Sequence, residues 1–189
     1  MKRLLFSTAL ALMAPAAFAA EPTQAMQDYM QSHIRDWAQD PVIVNAIAAQ
    51  NAVTSGYAQA RIDEMDTLWR AEVGTGSSAL VDGVLMNTAS DFLRMQVQAA
   101  GGTITEVFVM DAQGLNVAAS AATSDYWQGD EAKYQESYGK GPGGVHYSEI
   151  AFDESSQTYQ AQVSMTIVDP ASGAAIGAMT VGINAEELM

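Results

Sequence analysis

The sequence contains no cysteine. That excludes thiol nucleophiles, thiolate-ligated zinc, iron–sulfur clusters, c-type haem attachment and disulfide staples. Stability must therefore come from a packed core, which 189 residues are enough to build. Basic residues are scarce, with 8 Lys and Arg against 22 Asp and Glu and a formal net charge of −14. Such a surface repels phosphate backbones, so nucleic acid is excluded as a partner. The acidity serves either solubility or the attraction of a cation. The only histidines, His33 and His146, are far apart and form no H-E-x-x-H pattern. Asp125, Asp130 and Glu131 do not have the spacing of a calcium loop, so no metal set is read here. There is no G-x-S-x-G elbow, and the Gly-rich run 139–144 has Lys140 without the Ser or Thr that a phosphate loop requires. No catalytic residues and no cofactor are assigned, and the chain is not read as an enzyme.

The one long apolar run stands at the start. Lys2 and Arg3 precede the run 4–14, Pro15 interrupts it, and Ala17-Phe18-Ala19 puts small residues at a cleavage site. That order is the order of a secretory signal peptide, so residues 1–19 are expected to be removed after export to the periplasm. The run is too short for a membrane span, which takes roughly 20 residues, and no later segment is apolar enough.

The remainder divides into a helical part, 20–102, and a sheet part, 103–189, of a single domain. Met26, Met30, His33, Ile34 and Trp37 recur at helical spacing, and Asp40-Pro41 breaks that helix. A second helix is expected to run from about Val42 through the stripe Ile62, Met65, Leu68 and Trp69. A third covers 79–99, and Gly101-Gly102 stops it. Apolar runs at 104–110 and 115–120 flank Asp111-Ala112-Gln113-Gly114 and predict a hairpin. A polar and aromatic excursion follows at 121–138, then strands at 145–152, 159–167 and 174–184. Five strands after helices give an α+β fold with a largely antiparallel sheet.

This order resembles the Cache family of extracytoplasmic, PAS-like sensor domains. The likeness rests on Asp40-Pro41-Val42-Ile43-Val44-Asn45-Ala46-Ile47 with Ala49-Gln50-Asn51, on the hairpin 107–120, and on Asp169 to Gly173 followed by Ile176-Gly177-Ala178-Met179-Thr180-Val181-Gly182-Ile183. The resemblance implies long N-terminal helices packed on one face of a five-stranded antiparallel sheet, with a small-molecule pocket on the other. It implies a sensor that binds a small polar or amine-type ligand. The output would pass to a separate membrane-bound sensor kinase, cyclase or chemoreceptor, since no transmembrane helix or output module follows the sheet here. Such domains often pair along the N-terminal helix, so a homodimer is expected.

The excursion is the densest store of binding groups. Ser124, Asp125, Tyr126, Trp127, Asp130 and Tyr134 combine flat apolar area with hydrogen-bonding groups, the mixture that pockets use. The aromatic rings with Asp125 or Asp130 would suit an amine. Alternatively, Tyr126 and Trp127 plug the core edge and Ser124 or Asp125 caps a short helix. Gln162 stands with Gln160 and Ser164 on the polar face of the fourth strand, which either lines the pocket or meets solvent. Asp153, in the turn with Glu154, is either a pocket residue or a solvated turn residue. Two rival functions stay open: a ligand-free periplasmic adaptor that binds through its helices, and a divalent-cation sensor.

Overall fold

The computed structural model describes residues 24–76, 78–153 and 156–188; the expected signal peptide and Glu154 lie outside the described residues. Helices α1 (Gln24–Tyr29) and α2 (Arg35–Ala38) are joined by a π-helical turn, Met30–Ile34. The buried residues are Met26, Met30, Ile34 and Ala38, four apart each time. In an ideal α-helix a four-residue step overshoots one turn by about 40°, so such a row would wander off the core. The wider π turn takes up that overshoot and keeps all four side chains on the sheet.

Asp40 caps α3 (Pro41–Thr54) by accepting the Val42 N–H at 2.8 Å, with Pro41 in the first turn. The expected second helix is two helices. The chain leaves α3 at Ser55-Gly56 and re-enters as α4 (Gln59–Glu72), because Gly56 is a poor helix former and Ala58 is extended. The expected helix 79–99 is likewise split into α5 (Ala79–Leu85) and α6 (Thr88–Ala99). Asn87 causes that break. Its backbone is extended, its side chain accepts the Ser90 N–H at 2.9 Å, and its amide donates to Val84 O and Val117 O, both at 3.0 Å. Gly101 and Gly102 end α6 at φ 62° and 107°, a conformation that favours glycine.

Strands β1 (Ile104–Asp111) and β2 (Asn116–Ala119) form the expected hairpin. The expected third strand is broken into β3 (Val145–Tyr147) and β4 (Ala151–Asp153), both paired with β5 (Thr158–Val168). The chain ends its sheet with β6 (Ala175–Asn184). Six strands result, in the order β2-β1-β6-β5-β3 with β4 also on β5, and all pairs are antiparallel. The fold is α+β.

Alternation along the strands splits the sheet into two faces. Val107 and Val109 of β1, Ala161, Val163, Met165 and Ile167 of β5, and Met179, Val181 and Ile183 of β6 pack with Met26, Met30, Ile34, Ile43 and Ile47. The N-terminal helices thus cover one face. Phe108, Met110 and Ala178 point the other way, into a second core with Ile62, Trp69, Val81, Val84, Tyr126 and Tyr134. The hairpin turn is tied to α3. Buried Asp111 accepts the N–H groups of Gln113 (2.8 Å) and Leu115 (3.0 Å), the Thr54 hydroxyl (2.7 Å) and the Gln50 amide (3.0 Å). Asn51 accepts the Ala112 N–H at 2.8 Å and donates to Ile176 O at 2.7 Å. The motif residues Gln50, Asn51 and Asp111 are therefore structural clamps.

Candidate functional site

Continuing from Phe108 towards the other end of β1, the second face turns polar. Glu106 is opposite Gly182 of β6, and Gln162 of β5 is opposite the same glycine. Gln160 and Gln162 both donate to Glu106 Oε1, at 2.6 and 3.0 Å. Gly182 makes this possible, because a Cβ there would come under 3.0 Å from Thr105 Oγ1, Gln160 Oε1 and Glu106 Cγ. Glu106 is only 7% exposed. Burial pushes its carboxyl above the ordinary glutamate range; the Gln160 and Gln162 hydrogen bonds and the Lys133 charge pull the other way, and the Asp153 charge adds to the rise.

A cavity of about 370 Å³ lies over this floor, bounded by Gln160 and Gln162, by Glu131 and Lys133 of the excursion, and by Ser148, Glu149 and Asp153 of the β3–β4 edge. The short helix α7 (Ala132–Gln135) carries Lys133. Its ammonium sits 3.0 Å from Glu131 and 5.3 Å from the centre of the Phe108 ring. Ser148 Oγ accepts the Gln162 N–H at 2.8 Å, and so fixes the strand break between β3 and β4. The cavity wall offers two amide arms, a hydroxyl, three carboxylates and one ammonium, with the buried Glu106 carboxyl held by the two amides. That set can bind and orient a small polar molecule. Among the described residues no group of three His or carboxylate side chains is placed to hold a metal ion.

The sequence-predicted residues divide between this cavity and two other environments. Gln162 and Asp153 line the cavity. Asp125, Trp127 and Asp130 line a different cleft of about 320 Å³, shared with Asp63, Asp66 and Arg70 of α4. Ser124 is exposed and donates to Asp125 at 2.8 Å. Tyr126 and Tyr134 are core residues: Tyr126 stacks on Trp69 at 5.6 Å, and Tyr134 stacks on Tyr138 at 5.0 Å and donates to Ala112 O at 2.8 Å. Burial raises both phenols. In the α4 cleft a single cation, Arg70, stands among Asp63, Asp66, Asp125, Asp130 and Glu131. Asp66 accepts the N–H groups of Tyr126 (2.9 Å) and Trp127 (3.1 Å) and pairs with Arg70, which also reaches Asp125 at 3.4 Å. Trp127 spends its indole N–H on Gln113 O at 2.8 Å. The cleft is thus the seam that docks the excursion on α4.

Sequence reasoning did not select Glu106, Lys133 or Ser148. Glu106 had a signal: it is the one carboxylate inside the apolar run 104–110.

No family model matches the chain, and no curated protein does. Solved structures do. The ligand-binding domain of the Campylobacter jejuni chemoreceptor Tlp3, in complex with 4-methylisoleucine, is 12% identical with a TM-score of 0.44, over 88% of this chain and 62% of that one. The sensor domain of the V. cholerae histidine kinase DctB is 13% identical with a TM-score of 0.41, over 87% and 58%. The extracellular domain of the histidine kinase rpHK1S-Z16, itself described as putative, is 12% identical with a TM-score of 0.44, over 86% and 60%. These structural neighbours are Cache-type sensor domains. The chain spans about three fifths of their length. The N-terminal helices lie on one face of an antiparallel sheet, as expected from the sequence, while α4 and α5 join the excursion on the other face. Among the described residues no helix is long and apolar enough to cross a membrane.

Proposed function

We infer that the chain is the ligand-binding domain of a signalling system. It works in the periplasm, holds a small amine-bearing polar molecule over Glu106, and reports occupancy to a membrane-bound sensor kinase, cyclase or chemoreceptor. One observation carries the reading: Gln160 and Gln162 line an open cavity rimmed by Glu131, Glu149 and Asp153, and both grip a carboxyl, Glu106, whose pKa burial raises. A buried carboxyl of this kind is relieved by an incoming ammonium group, which replaces lost solvation with an opposite charge. Lys133 is the rim's one cation, so a ligand with a carboxylate beside its amine meets complementary charge at both ends. Binding has a route across the sheet. Gln160 and Gln162 alternate along β5 with Ala161 and Val163, which pack under the N-terminal helices.

The test is a thermal-shift screen of the chain against amino acids, primary amines, organic acids and divalent cations. A ligand at 100 times its Kd adds about 2.7 kcal/mol to stability. Amines or amino acids should raise Tm, and Gln162→Ala should abolish the rise. A panel without amine hits, or a shift that survives Gln162→Ala, counts against the reading. A response to divalent cations alone would support the cation-sensor alternative.

A further inference from the structure

A second cavity, of about 360 Å³, opens at the sheet edge between α2 and the start of β3. Its walls are mainly apolar and include Ala38, Val145, Met165, Val168 and Pro170. Arg35 also lines it.

Among the described residues no carboxylate pairs with Arg35. Arg61, Arg70, Arg94, Lys133 and Lys140 each pair with a carboxylate. Among the described residues Arg35 is the one Lys or Arg without such a pair, although the chain has 22 acidic residues. The position of Arg35 is fixed by the π turn, since its own N–H donates to Met30 O and closes that turn. Turns of this kind recur at functional sites. A separate observation comes from β5. Thr166, 6% exposed, lines the same cavity, and its Oγ1 is buried with no hydrogen-bond partner. Buried hydroxyls in native proteins are almost always paired.

We propose that this cavity is a second ligand site, and that it takes a small carboxylate with an apolar tail. The guanidinium receives the carboxylate in a charge-assisted, two-pronged contact. The tail lies against Val145, Met165 and Val168. The volume is at the small end of the range for ligand cavities, which fits a short chain. The preference is opposite to that of the acid-rimmed cavity over Glu106, so the two sites separate by charge.

The test is titration of the full chain with hexanoate, followed by amide NMR, with 1-hexanol and hexylamine as matched controls. Hexanoate should shift the amides of Ala38, Gly144 and Val145 and bind about tenfold more tightly than hexanol, the factor expected of one charge-assisted contact. Arg35→Gln should lower hexanoate affinity to that of hexanol and leave Tm unchanged, because Arg35 is exposed and unpaired. Equal binding of hexanoate and hexanol, absence of shifts at these amides, or full hexanoate affinity in Arg35→Gln would overturn the proposal.

Discussion

Asp66 decides whether the excursion is held in place over the second sheet face. Its carboxylate is buried, with a side chain only 7% exposed, and it accepts two backbone N–H groups from Tyr126 and Trp127. It also pairs with Arg70, but that side chain is 57% exposed. The two kinds of contact differ in weight. An ion pair with an exposed partner contributes about 0–1 kcal/mol. An orphaned buried donor costs about 1–3 kcal/mol, so Asp66→Ala, which orphans both, should cost about 2–6 kcal/mol. For a chain of this size 1 kcal/mol moves Tm by about 2–4 °C, so a mid-range loss near 4 kcal/mol lowers Tm by about 8–16 °C. Asp66→Asn keeps the accepting oxygen and should cost only about 1 kcal/mol, as should Arg70→Ala. Urea denaturation of the three variants, with unchanged m-values, reads these differences directly. The reasoning fails if Asp66→Ala loses less than about 1 kcal/mol. It fails equally if Arg70→Ala loses as much as Asp66→Ala, because then the ion pair and not the backbone amides would anchor the excursion.

The remaining predictions concern the polar floor. Burial holds the Glu106 carboxyl above its ordinary range, so its ionised form is penalised in the folded state. That penalty is absent below the ordinary glutamate pKa and complete above the raised one. Glu106→Gln should therefore match the wild type at acid pH and become relatively more stable as pH rises through that window; a difference that is flat with pH, or of opposite sign, would refute this. Gly182→Ala should cost about 1–3 kcal/mol by overpacking and should displace Gln160 from Glu106, and a crystal structure of that variant with the hydrogen bond intact would contradict the assigned role of the glycine.

The sequence showed the elements more clearly than their breaks. The alternation of Tyr159, Ala161, Val163, Met165 and Ile167 placed β5 and its two faces correctly, because period-2 patterning is a direct record of which side is buried. The hairpin at Asp111 was readable from turn chemistry alone. The break at Asn87 was not, since its cap matters only once the amide reaches Val117 on another element. The break between β3 and β4 was hidden for a similar reason: Ser148 is a turn-maker only through its bond to Gln162. Site residues were the least legible. Tyr126 and Trp127 look like pocket walls by composition; Trp69, distant in sequence, claims the Tyr126 ring for the core, while Trp127 gives its indole N–H to Gln113 and lines the α4 cleft, not the cavity over Glu106. Glu106 gains its character from Gln160, Gln162 and the room left by Gly182, none of which is near it in sequence.

The central claim is that an ammonium-bearing ligand is held over Glu106. The most direct measurement is NMR of the side-chain amides of Gln160 and Gln162 during titration with an amino acid or amine that raises Tm. Both amide pairs should shift and saturate with the same Kd as the thermal effect, while the indole N–H of Trp127 stays still. Saturable shifts at Trp127 and its neighbours, with Gln160 and Gln162 unmoved, would put the ligand in the α4 cleft and contradict the account.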